Sequence, residues 1–74
     1  MGEKYPILSS RQIIKRLEAL GFKHKSQKGS HVKYVKEGTP VRTVIIPKHD
    51  TVARGTLRSI LEQSGIELET FLGK

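Results

Sequence analysis

Phe22-Lys23-His24-Lys25-Ser26-Gln27-Lys28-Gly29-Ser30-His31-Val32-Lys33-Tyr34-Val35-Lys36 alternates in polarity on both sides of a glycine, the pattern of a β-hairpin. The turn is expected at Lys28-Gly29. A two-residue loop there sets Phe22 opposite Val35, on the face away from Val32 and Tyr34. A three-residue loop, Gln27-Lys28-Gly29 with Gly29 left-handed, pairs Phe22 with Tyr34 and His24 with Val32. The opposite face then carries Lys25 across from His31 and Lys23 across from Lys33. A one-residue slip exchanges the two faces, so apolar pairing favours this second register. It places His31 outside the core among lysines, and His24 on the apolar side.

Working outward, Ser9-Ser10-Arg11-Gln12 forms a capping box, and Leu8 and Ile13 occupy the two positions of a hydrophobic staple. Ile13, Ile14, Leu17 and Leu20 make one apolar stripe, so a helix is expected over residues 9–20. Gly21 supplies its left-handed stop, with Phe22 folding back onto the last turn. On the other side of the hairpin, Glu37-Gly38-Thr39-Pro40 leads into a β-branched strand, Val41–Ile46, stopped by Pro47. After the loop Lys48–Gly55, a second helix is expected from Thr56, with Leu57, Ile60 and Leu61 buried and Gly65 ending it. Ile66–Leu72 reads as a short terminal turn or helix. The order is α-β-β-β-α with a small C-terminal helical turn. It implies three antiparallel strands with both helices on one face, an α+β two-layer sandwich. Residues 1–74 form one domain, with no repeat, linker or low-complexity segment.

Charge supplies the first functional indication. Of the net +7, the segment Arg11–Lys36 carries all, with eight basic residues against the single acid Glu18. Residues 37–74 hold five basic and five acidic side chains. One part of a very small domain therefore owns the positive field, as in nucleic-acid binders. Charged residues at 28% beside 35% hydrophobic ones fit a folded domain and not a disordered tail. The absence of cysteine excludes disulfides and thiolate metal sites. Met1–Pro6 lacks the apolar core of a signal peptide, and Val44-Ile45-Ile46 is too short to span a bilayer, so a cytoplasmic protein without membrane attachment is expected.

The runs Gly21-Phe22, Lys28-Gly29-Ser30-His31, Ile46-Pro47-Lys48-His49 and Gly55–Ile66 occur in an order and at spacings that resemble the HicA family, also called YcfA-like. These are mRNA-cleaving toxins of toxin–antitoxin pairs, with a fold similar to a double-stranded-RNA-binding domain. The likeness extends over nearly the whole chain. It implies a metal-independent endoribonuclease (an mRNA interferase) without a cofactor, acting on mRNA and silenced by a HicB-like antitoxin that covers the catalytic residue. The family's catalytic histidine, in Gly-Ser-His, maps onto His31.

The residues themselves say what such chemistry needs. Cleaving RNA without a metal takes a base for the 2′-hydroxyl proton, an acid for the leaving oxygen and positive charge at the phosphorus. His31 is the histidine on an exposed strand face beside lysines. Lys23, Lys25, Lys28 and Lys33 are candidate phosphate ligands, with Gly29 and Ser30 allowing close backbone approach and Lys15 and Arg16 contributing from the first helix. His49 reads first as a loop residue held by a backbone hydrogen bond. Arg54 and Arg58 flank the start of the second helix, where phosphate binding and capping by Thr56 both account for the residues. None of the three histidines is spaced to share a metal. Two other functions fit the charge: a non-catalytic RNA-binding module of this fold, and a basic face that docks an acidic partner.

Overall fold

The computed structural model describes residues 5–73; Met1–Lys4 and Lys74, the ends of the single-domain span, lie outside the described residues. The first helix, α1, runs Ser10–Ala19. Ser9 caps it in an extended conformation, its Oγ accepting from the Gln12 N–H at 3.1 Å while Gln12 Oε1 accepts from the Ser9 N–H at 2.9 Å. Such a cap contributes about 1 kcal/mol. At the other end Gly21 has φ 101°, and its N–H and that of Phe22 reach back to Glu18 and Leu17 at 3.1 and 3.0 Å. That is the Schellman arrangement expected from Gly21-Phe22. It has a consequence for the sheet, because it commits Phe22 to the helix end instead of to a strand.

Three six-residue strands follow: β1 (Lys23–Lys28), β2 (His31–Lys36) and β3 (Arg42–Pro47). They form one antiparallel sheet in the order β1-β2-β3. The helix α2 (Arg54–Ser64) and the short α3 (Leu68–Leu72) complete the chain. This is the α+β sandwich of double-stranded-RNA-binding-domain type expected from the element order. Ile13 and Leu17 of α1, Leu57, Ile60 and Leu61 of α2 and Phe71 of α3 are buried against Val32, Tyr34, Val44 and Ile46 on the sheet's inner face. Each such aliphatic or aromatic side chain removed from water is worth about 1.5–3 kcal/mol. The sheet edges are protected differently. Gln63 Oε1 of α2 accepts from the Ile45 N–H at 3.1 Å on the β3 side, whereas β1 carries Lys23, Lys25 and Lys28.

The hairpin register departs from expectation. Its turn is Gly29-Ser30, with Lys28 opposite His31, Gln27 opposite Val32 and Ser26 opposite Lys33. Gly29 has φ 60° and no non-glycine residue among the described ones has positive φ, the glycine-first pattern of a type II′ turn. A bulge at Lys25 shifts the ladder, so that His24 faces Tyr34 and Lys23 faces Val35. Neither Lys25–His31 nor Lys23–Lys33 forms a pair, and the Phe22–Tyr34 and His24–Val32 pairs do not form either. The reason is local: Phe22 reaches the core from the helix cap, so its apolarity does not constrain strand register.

Two smaller boundaries also shift. Helix α2 begins at Arg54, and its N-cap Ala53 makes no side-chain hydrogen bond, so Thr56 lies in the first turn and caps nothing. Strand β3 includes Pro47, while Val41 stays outside it and 53% exposed.

Candidate nucleic-acid interface

Among the described residues, the helices cover one face of the sheet and leave the other open. On the open face the ladder builds rows across the strands: Lys28–His31–Pro47, then Ser26–Lys33–Ile45, then Lys23–Val35–Thr43. Paired residues stand about 5 Å apart, and successive rows on one face about 6.7 Å. His31 therefore has Lys28 directly across and Lys33 one row along. Ser26, Lys28, His31, Lys33 and Ile45 line a common open depression. Its rim is cationic and its floor is apolar at Ile45, which is 38% exposed.

The structure divides the other candidates among different places. Lys23 and Lys25 line a separate depression with Gly21, His24 and Glu37, towards the far end of the hairpin. Gly29 and Ser30 form the turn beside His31, where a Cβ at Gly29 would meet nothing within 4 Å but the positive φ resists substitution. Lys15 lies on the exposed side of α1 in a groove with Lys48 and His49. Arg16 is occupied within the fold. Its Nη1 donates to the Phe71 carbonyl at 3.3 Å and its guanidinium lies 5.8 Å from the centre of the Phe71 ring, pinning α3 to α1.

Arg54 and Arg58 are likewise engaged, Arg54 Nε donating to the Tyr5 carbonyl at 2.8 Å and Arg58 pairing with Glu62 at 3.3 Å. His24 stays on the inner side of the sheet, edge-on to Tyr34 at 5.6 Å and 88°. His49 does hold a backbone contact, but through its own carbonyl, which accepts from the Ser10 N–H at 2.9 Å. Its imidazole takes no part in that bond.

Tyr34 links the layers beneath the site. Its hydroxyl donates to Glu18 Oε2 at 3.1 Å. Burial raises the phenol above its ordinary value, and the hydrogen bond to Glu18 and the carboxylate's charge act in the same direction. The folded state thus holds this proton more firmly than the unfolded chain does. The stabilisation is complete below the unfolded pKa of about 10 and is lost as pH rises through the higher folded value. Tyr34→Phe is expected to lessen the fall in Tm on the alkaline side of pH ~10. Melts of both proteins across that range check it, and parallel curves would contradict it.

A small basic α+β domain with an uncovered sheet face, centred on one histidine between lysines, is the class that fold and site define. Residues 10–66 match the family described as "HicA toxin of bacterial toxin-antitoxin". The chain belongs to this HicA toxin family and is the toxin side of a toxin–antitoxin pair, which implies an antitoxin partner. Among curated proteins none matches the chain. No helix among the described residues is long and apolar enough to cross a membrane.

Proposed function

We propose that this toxin is a metal-independent endoribonuclease that cleaves mRNA across the open sheet face, with His31 as the catalytic residue. The observation that carries the reading is the row Lys28–His31 with Lys33 beside it, on a face no helix covers. A phosphate seated between the two ammonium groups brings its neighbouring 2′-hydroxyl to the imidazole. His31 takes that proton as the 2′-oxygen bonds to phosphorus, the P–O5′ bond breaks, and the leaving 5′-oxygen takes a proton from solvent water. General acid–base work of this kind is worth about 10²- to 10⁴-fold. Lys28 and Lys33 stabilise the charge that builds on the phosphoryl oxygens. Such a protein works in the cytoplasm, where its messages are.

A non-catalytic double-stranded-RNA binder is the poorer reading of the same fold. Those modules insert a β1–β2 loop into one minor groove and use cations opening the last helix elsewhere on the duplex. Here the loop is only Gly29-Ser30, and Arg54 and Arg58 at the start of α2 are held by Tyr5 and Glu62.

The test is induced expression of wild type and His31→Ala with message integrity followed in each culture. Intact messages with wild type would overturn the proposal, as would equal decay with both. In vitro, RNA binding is expected to weaken steeply with added salt. Removing charge at Lys28 or Lys33 is expected to cost several-fold more affinity than at Arg42, which lies at the opposite end of the sheet. Titrations of the three single variants check this, and equal losses would mean that RNA does not sit on the open face.

A further inference from the structure

Away from the strand face, a further cationic concavity lies between α1 and the β3–α2 loop. It is an open groove of about 680 Å³, a volume within the usual range for small-ligand sites. Arg11 and Lys15 come from α1, Lys48, His49 and Asp50 from the loop, and half-buried Ile14 gives it an apolar floor. Arg11, Lys15 and Lys48 are exposed and have no ion-pair partner among the described residues, whereas Arg16 and Arg54 donate to backbone carbonyls and Arg58 pairs with Glu62. Of the two acids lining it, Glu18 already accepts from Tyr34. The N-terminus of α1 is not the attraction, because the Ser9 and Gln12 N–H groups are met by the capping box and the Ser10 N–H by the His49 carbonyl.

The groove's position relative to His31 gives it meaning. Pro47 is paired with His31, and the next residue, Lys48, donates its N–H to the Ser30 carbonyl at 2.7 Å. The loop that walls the groove is therefore bonded to the turn that carries His31. At its other wall the His49 carbonyl accepts from Ser10 of α1. An RNA strand leaving the His31 face over the sheet end at Pro47 meets Lys48 first and then the groove.

We infer that this groove is a second RNA subsite, which holds one or two unpaired nucleotides flanking the phosphate at His31. The inference rests on the ribonuclease reading for what lies at His31, and extends it to substrate class: single-stranded RNA that runs past the cleaved bond. Arg11, Lys15 and Lys48 take the phosphates. A base lies on Ile14, the His49 ring offers a stacking surface, and Asp50 accepts from a base amino group. A continuous duplex does not fit this reading, since its bases are already stacked and paired.

The experiment uses the whole chain with His31→Ala, so that RNA survives, and a single-stranded RNA 12-mer of mixed sequence. Amide shifts are followed by NMR and affinity by fluorescence anisotropy over a salt series. Two patches are expected to shift together: Lys28, His31→Ala, Lys33 and Ile45 on the strand face, and Ser10, Arg11, Lys48 and His49 in the groove. Adding Arg11→Ser and Lys48→Ser is expected to weaken binding about tenfold. It should also make the log–log salt slope less negative by about 1.4, the value for two single-strand phosphate contacts. Arg42→Ser with Arg58→Ser, which removes the same charge elsewhere, is expected to leave that slope within error of the parent.

Shifts confined to the strand face, or equal slope changes from both double variants, would overturn the subsite. Groove-dependent binding by a protein whose wild type cleaves nothing would keep the subsite and defeat the ribonuclease reading. Binding that depends on Lys28 and Lys33 alone, with cleavage intact, would do the reverse. Thermal melts confirm that each variant is folded, as expected for substitutions at exposed positions.

Discussion

His31→Ala is expected to lower RNA cleavage by about 10²- to 10⁴-fold and to relieve growth arrest, with the fold unchanged. The size follows from what the imidazole alone supplies on the open sheet face. Lys28 and Lys33 can hold a phosphate there, but ammonium groups do not accept the 2′-hydroxyl proton. Residual activity should be that of positioning and charge without a base. The stability side follows from exposure: His31 projects away from the core, opposite exposed Lys28 and half-buried Pro47, and surface substitutions usually stay within about 0.5 kcal/mol. Cleavage and melting should therefore separate cleanly. A folded variant that cuts at the wild-type rate would remove His31 from the mechanism, and a variant that melts many degrees lower would make the loss of cleavage uninformative about chemistry. Lys28→Ala is the matched control. It keeps the base and loses one phosphate contact, so its defect should shrink at low salt while that of His31→Ala should not. Chelation by EDTA is expected to leave wild-type cleavage unaffected.

How far the chain announces its own structure can be judged at individual residues. Helix α1 was legible because its signals are local and mutually consistent: the Ser9–Gln12 box, the Ile13–Leu17 stripe and the Gly21-Phe22 stop each name the same boundaries. The register of the hairpin was not, because Phe22 carries two conflicting signals. It continues the alternation of β1, yet the backbone hydrogen bond from its N–H to Leu17 takes it into the helix cap. The Lys25 bulge then erases the simple period of two that register arguments need. His31 kept its exposed, lysine-flanked placement through this change because β2 itself alternates cleanly, with Val32 and Tyr34 buried between exposed neighbours. Only the identity of the flanking lysine moved, from Lys25 to Lys28. Lys15 and the run Lys48-His49 stand out in the linear sequence, but nothing there says that they share a groove. Its walls are brought together by two backbone bonds, Ser10 to His49 and Lys48 to Ser30, which no periodicity encodes. Arg16 shows the converse, since its basic charge suggested phosphate while the fold uses it to seat Phe71.

A complex with the antitoxin is expected to melt on the order of 10–20 °C above the free toxin and to show no RNA cleavage. The thermal figure follows from linkage. A partner at a hundredfold excess over its Kd adds about 2.7 kcal/mol, and in a domain of this size each kcal/mol moves Tm by about 4–8 °C. The loss of activity follows from which surface is free to be covered. The inner face of the sheet is filled by three helices, so a partner that silences the toxin by contact has the open face to work with. That face is apolar in the middle, with Ile45 38% exposed beside half-buried Val35, and cationic around it at Lys28, Lys33 and Lys23. The complementary surface is an apolar centre with an acidic rim, as expected of a HicB-like antitoxin that hides His31. Opposite charge speeds the encounter and fixes orientation, while burial of Ile45 supplies affinity that salt does not screen. Salt should therefore weaken RNA binding much more than it weakens the complex. Ile45→Asp should do the opposite to the complex, placing a like charge against the acidic rim and stripping out the apolar contact. Co-expression with the neighbouring gene, purification, melting and a cleavage assay test the whole chain of reasoning. A stable complex that still cuts RNA would show that the partner sits away from His31, and a neighbour that fails to bind would leave the antitoxin to be sought elsewhere in the genome.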